Sequence, residues 1–125
     1  MSETANPDIF LCALLAQIIK AREGNVKREF QAVVQVISRL REYNEQTLLE
    51  LVNQALEMDQ ALEFDELLAT CKQALADDQL REAIGLMAFV ARLDGAVSSE
   101  EERTFALTCQ GLGVVINDGK VEIAR

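Results

Sequence analysis

The chain has 125 residues, and 12 basic against 21 acidic side chains leave a net charge of −9 with no histidine. That length suits one domain with a single core, and a half-hydrophobic composition with one proline and six glycines excludes a disordered or low-complexity chain. Lack of histidine removes His-ligated zinc and haem, the Ser-His-Asp triad and the Glu-x-x-His di-iron site. The acidic balance argues against nucleic acid as a partner.

Cys12, Cys71 and Cys109 are widely spaced and form no C-x-x-C. An odd number of such cysteines indicates buried thiols in a reducing compartment rather than a disulfide framework. The most apolar uncharged run, Ile9–Ile19, has eleven residues, whereas a bilayer span needs about 20. Glu3 and Asp8 flank that run where a signal peptide would carry basic residues. A cytoplasmic chain without membrane insertion is expected.

Asn6-Pro7-Asp8 opens the first helix: Asn can cap, Pro fits the first turn, and Asp favours the positive end of the dipole. Its run Ile9–Ile19 is apolar nearly all round, which predicts a central helix. Lys20 and Arg22 suit its C-terminus, with Gly24 just beyond. A second helix is expected from about Lys27 to Arg41, with Phe30, Val33, Val34, Ile37 and Leu40 at helical spacing. Asn44 looks like the next cap, followed by Leu48, Leu49, Leu51, Val52, Ala55 and Leu56. Met58–Phe64 is expected to connect to a fourth helix carrying Leu67, Leu68, Cys71, Ala74 and Leu75.

Asp77-Asp78 is expected to cap a fifth helix, about Gln79 to Leu93, whose apolar residues Ala83 to Ala91 wrap most of its circumference. Gly85 within it suggests close helix–helix contact. A sixth helix runs from about Ser99 to Gln110, with Phe105, Leu107, Cys109 and Leu112 as its apolar positions. The tail Val114–Ile123 is rich in β-branched residues, and Asp118-Gly119 would suit a type I′ hairpin. A short ordered tail lying on the helices is the equal alternative, because an isolated ribbon is marginal in water.

A shift of 71 residues aligns Leu15 with Leu86, Glu23 with Asp94, Gly24 with Gly95 and Val26 with Val97. This gives one domain over 1–125 with two repeat halves, roughly 8–41 and 79–112. Each half is an apolar helix, a tight acidic-Gly-x-Val loop and a second helix. Two such hairpins could pack their first helices together about a pseudo-twofold axis.

The second loop is the better formed. Ser98 and Glu101 stand at capping-box spacing, Gly95 can take a positive φ to end the preceding helix, and Val97 precedes the cap, where it could staple onto the new helix. Asp94 is not explained in this way, because an acid at a helix C-terminus meets the negative end of the dipole. One account makes it a ligand for a divalent cation such as Ca²⁺, with the Glu100–Glu102 run and loop carbonyls supplying hard oxygen donors. The other has Asp94 accepting hydrogen bonds from the turn amides after it. No EF-hand spacing is present.

The stretch Leu93-Asp94-Gly95-Ala96-Val97-Ser98-Ser99-Glu100-Glu101, behind the apolar helix Ile84–Ala91, resembles the DG-x-[VI]-S-x-x-E motif of the tellurite-resistance TerB-like domain family. That family also includes the N-terminal domain of DjlA-type J-proteins. The resemblance spans nearly the whole chain and implies an all-α bundle of about six to seven helices built from a tandem repeat. It further implies Asp94 and Glu101 as metal-binding acids, and a role in tellurite or general stress response. The first repeat departs from the motif: Glu23 replaces Asp, Lys27 replaces the capping Ser, and Phe30 stands in the glutamate position with Glu29 one place early.

Charge is unevenly spread. Residues 1–41 carry +2, residues 42–102 carry −12 and the remainder +1, so the middle of the chain could steer a basic partner or gather divalent cations. The basic stretch Lys20, Arg22, Lys27, Arg28 lacks interleaved aromatics, which again disfavours nucleic acid. With no activating histidine and no phosphate-binding glycine loop, catalysis is not expected. A helical module that binds a protein partner is the leading reading, and no cofactor is required. A cation-binding domain is the alternative, with Asp94 and Glu101 as ligands and Glu100 and Ser98 as weaker candidates. Exposed apolar positions would also allow two copies to pair.

Overall fold

Asn6 starts the first helix as its sequence suggests: its Oδ1 accepts the Asp8 amide at 2.9 Å. The computed structural model describes residues 6–21, 26–92 and 97–123, with side chains throughout except at 26–30, 32 and 33. Among these are α1 (Pro7–Ala21), α2 (Val26–Leu40), α3 (Glu45–Ala61), α4 (Phe64–Ala74), α5 (Asp77–Ala91) and α6 (Ser99–Leu112). Two short strands follow, β1 (Val114–Asn117) and β2 (Lys120–Ile123). The fold is all-α, with six described helices and the hairpin after them.

Every residue of α1 from Asp8 to Ile19 is buried, and the helix packs against each of α2, α3, α4, α5 and α6. An apolar helix with no polar face has to be enclosed this way. Leu14, Leu15 and Ile18 are among its fully buried side chains, each worth about 1.5–3 kcal/mol of transfer free energy. The other helices wrap this axle with one face each: Leu51 and Val52 from α3, Leu67 and Cys71 from α4, Ile84 and Met87 from α5, Leu112 from α6.

Several helix boundaries differ from expectation. The helix capped by Asn44, whose Oδ1 accepts the Thr47 amide at 2.7 Å, runs through Met58 to Ala61, so only Leu62 and Glu63 connect it to α4. Asp77 and Asp78 do not cap α5 but lie in its first turn, where acids suit the dipole. Ala76 is the capping residue, and its amide is satisfied by Gln79 Oε1 at 2.8 Å.

α5 is also less wrapped than its composition suggests. Leu80, Ala83, Ile84, Met87, Val90 and Ala91 are buried, but Phe89 is 53% exposed. Gly85 makes no close helix contact: a Cβ built there would meet nothing within 4 Å. The glycine that does permit close approach is Gly111 in α6, where an added Cβ would collide with the Leu68 side chain of α4. On α6, Leu107 is exposed and Thr108 takes the buried position, its hydroxyl donating to the Thr104 carbonyl at 2.7 Å. Helical geometry favours Thr108 because it lies one turn before Leu112.

The tail is the hairpin. Gly113 closes α6 in the left-handed conformation (φ 71°), and β1 pairs antiparallel with β2 from Val114↔Ile123 to Asn117↔Lys120. Asp118 (φ 52°) and Gly119 (φ 75°) both have positive φ, as a type I′ turn demands. Val114 is buried and anchors the ribbon against α6, while α5 packs along β2. That packing is what an isolated ribbon lacks.

Candidate functional site

The motif residues gather where α5 ends and α6 begins. Ser98 caps α6 by a reciprocal pair: its Oγ accepts the Glu101 amide at 3.1 Å, and Glu101 Oε1 accepts the Ser98 amide at 3.0 Å. This is the capping box its spacing suggests. Beside it lies a recess of about 170 Å³ lined by Ala88, Ala91, Arg92, Val97, Glu101, Glu102 and Phe105. Val97 is 37% exposed at this recess rather than closed down as a staple, while Glu101 is only 2% exposed. Ser98 and Glu100 face solvent. The corner is therefore a hollow of apolar side chains with Arg92 and Glu102 beside them and one buried carboxylate, Glu101, in its wall; Phe89, also on α5, is exposed.

Asp94 and Gly95 lie outside the described residues, as do Glu23 and Gly24 of the first repeat loop. Val26 and Glu29 belong to α2, but their side chains are not described. Among the described residues no three Cys, Asp or Glu side chains come together as metal ligands would. Of the acids in the motif, Glu101 is buried with one oxygen committed to the helix cap, and Glu100 is exposed.

Two polar clusters were not foreseen. Asp8 is buried in the first turn of α1, 7% exposed. Its Oδ2 accepts from Arg41 Nε at 3.1 Å and from the Tyr43 hydroxyl at 2.6 Å, and its Oδ1 accepts from Arg41 Nη2 at 3.3 Å. Arg41 Nη2 also donates to Glu82 on α5, and Asn6 Nδ2 donates to the Tyr43 hydroxyl at 3.0 Å. The Glu82 hydrogen bond, with Asp8 adding to it, holds the Arg41 guanidinium above its ordinary range. Burial, reinforced by the bond to Asp8, pushes the Tyr43 phenol up. In the second cluster Gln17 Nε2 donates to Asp59 at 2.6 Å, and Lys20 Nζ bridges both Asp59 oxygens at 2.9 and 2.8 Å. A signal for both was present in the sequence: Asp8 and Gln17 bound a helix with no polar face, and buried polar groups there require partners.

The thiols are inert by environment. Cys12, Cys71 and Cys109 are free and buried. Burial pushes Cys12 and Cys71 up to about 12, the charge of Asp8 adding to the effect at Cys12, and burial raises Cys109 as well. A thiol that resists ionisation is a poor nucleophile.

The family model of Tellurite resistance protein TerB matches residues 8–121. The chain belongs to the TerB family. The match runs from the buried Asp8 of α1 to Val121 of β2, so it takes in nearly all of the six described helices and most of the hairpin that follows them. No curated protein and no solved structure matches the chain. Among the described residues of this TerB-family chain, no helix is long and apolar enough to cross a membrane.

Proposed function

We propose that this chain is a non-enzymatic interaction module that binds a protein partner within a cytoplasmic, tellurite-resistance-type stress-response assembly. The observation that carries the reading is the α5–α6 corner, where a recess is walled by Val97, Phe105 and two alanines together with Arg92, Glu101 and Glu102, and Phe89, next in sequence to the lining Ala88, is left 53% exposed. Aromatic residues beside a hollow are the usual anchors of protein interfaces. The three suppressed thiols support a non-catalytic role.

The test is complementation. Cells lacking this chain are challenged with tellurite and supplied with the wild type or with Phe89→Gln, folding being checked by thermal melting. Protection by the wild type and its loss in a folded Phe89→Gln variant is the expected result. Equal protection by both would remove the corner from the function, and no protection by either would remove the stress role.

Divalent-cation binding by Asp94 and Glu101, with Glu100, is the second reading. One observation favours it: the buried carboxylate of Glu101 lines an open recess instead of packed core. Thermal melts with Ca²⁺, Mg²⁺, Mn²⁺ and Zn²⁺ decide the matter. An ion at 100 times its dissociation constant stabilises by about 2.7 kcal/mol, and Asp94→Asn should abolish the shift. A midpoint that no ion moves would end this reading.

A further inference from the structure

The two edges of the hairpin are not equivalent. A two-residue type I′ loop makes Asn117 and Lys120 the closing hydrogen-bonded pair, so Val115↔Glu122 is the next such pair. At the alternating positions Val114 and Ile116 turn their N–H and C=O groups away from β2, and Val121 and Ile123 turn theirs away from β1. On the β2 side α5 packs along the strand, and Arg81 Nε donates to the outward Val121 carbonyl at 3.4 Å. That edge is covered. On the β1 side no hydrogen bond among the described residues reaches the outward N–H or C=O of Ile116, and Val115, Ile116 and Asn117 are exposed.

An open strand edge accepts one kind of ligand, another extended backbone. Charges, proline or a bulge discourage such pairing at many natural edges. β1 has none of these: it reads Val114-Val115-Ile116-Asn117 in unbroken register, whereas β2 carries Lys120 and Glu122. β1 is also complementary to itself. Antiparallel pairing about a twofold axis at Val115 sets Val114 opposite Ile116 of a second copy, and Val115 opposite its own equivalent. The outward groups of Val114 and Ile116 then form the hydrogen-bonded pairs. The two Val115 side chains meet at the non-hydrogen-bonded position, where cross-strand neighbours stand closest. Such β-branched pairs stabilise a sheet, and no charge within the strand is set against a like charge.

We infer that β1 is a self-association edge: two copies join their β1 strands antiparallel and merge two hairpins into one four-stranded sheet. A strand of four residues covers far less than the roughly 800 Å² per partner of a standard interface, so the dimer forms reversibly as concentration rises. The net charge of −9 on each copy opposes association, and salt strengthens the dimer by screening that repulsion. Binding of a basic partner to the acidic protein would respond to salt in the opposite sense. No residue of β1 lines the α5–α6 recess, so the inference stands apart from the function proposed above.

Sedimentation equilibrium on the full chain tests it, from about 10 µM to about 1 mM protein. The wild-type mass should rise from 13.9 kDa towards twice that value, and at lower concentration when salt is added. Over the same range the Ile116 amide, bonded only across the dimer, should gain severalfold protection from hydrogen exchange, more than the Val115 amide bonded within the hairpin. Val115→Lys sets two like charges opposite each other while lowering the overall negative charge, so its effect is local. Ile116→Pro deletes an outward N–H without touching the ladder to β2. Both variants should stay at 13.9 kDa with thermal midpoints close to the wild type, and Val115→Lys decides alone if Ile116→Pro loses the hairpin. A wild type that remains monomeric throughout would overturn the inference, as would a dimer that Val115→Lys leaves intact or that salt weakens.

Discussion

The Tyr43 hydroxyl donates to Asp8 Oδ2 at 2.6 Å across 35 residues of sequence, tying the segment after α2 to the first turn of α1. The same hydroxyl accepts from Asn6, so the chain's one tyrosine serves a cap and a buried carboxylate together. Tyr43→Phe removes both bonds while keeping the ring. We expect a loss of about 1–2 kcal/mol in urea unfolding, and an unchanged midpoint would mean that water replaces the phenol without cost.

The two helical glycines should respond in opposite senses to the same substitution. Gly111→Ala places a methyl group 3.1 Å from Leu68 Cβ, an atom that cannot swing away without moving α4. Overpacking of this kind costs about 1–3 kcal/mol. Gly85→Ala adds a methyl in open space within a helix, where better helix propensity contributes about 0.5–1 kcal/mol. Thermal melts of the two variants should therefore move apart, and a destabilised Gly85→Ala would contradict the open position assigned to that residue.

Alkaline pH should unfold the protein through its thiols. Cys12 and Cys71 ionise near 9.0 in an open environment but at about 12 when folded. The native state therefore keeps protons that the unfolded chain has already lost, and stability falls as pH rises from about 9 towards 12. Each thiol contributes a slope of about 1.4 kcal/mol per pH unit in that window. Below pH 9 neither contributes any. Urea midpoints measured at several alkaline pH values should fall less steeply for Cys71→Ala than for the wild type; parallel curves would refute the assignment.

Removal of the cap on α6 gives a graded result. Ser98→Ala loses the hydroxyl that accepts the Glu101 amide and should cost about 1 kcal/mol. Ser98→Gly should cost only a few tenths, because glycine tolerates the cap conformation and lets water reach the amide. Chemical denaturation of both variants checks the order, and equal losses would point to a role for Ser98 beyond capping.

Fold class and three of the helix caps were legible because they depend on neighbours in sequence, though Asp77-Asp78 misplaced the cap of α5 by one residue. Asn6, Asn44 and Ser98 each cap an amide two or three residues on, and the enclosure of α1 follows from its lack of a polar face. What escaped was set by distant partners. Asp8 read as a dipole partner for its own helix, and nothing near it in sequence announces Arg41, Tyr43 or Glu82. Gly85 and Gly111 look alike locally and differ only in what faces them. For the site, Ser98 and Glu101 were legible as a pair, whereas the recess depends on where α5 sits beside α6. Val97 thus appeared as a local staple, not as part of a wall shared by two helices.

The enclosure of α1 carries a consequence for biogenesis. α1 packs against α5 and α6, helices that begin only at Asp77 and Ser99, well after α1 ends at Ala21. Until they arrive, α1 can pack only on α2, α3 and α4, and the faces that α5 and α6 cover stay open. Such delayed closure exposes a nascent chain to aggregation. Holdase chaperones should therefore engage the emerging N-terminal half, and release should coincide with the appearance of α6.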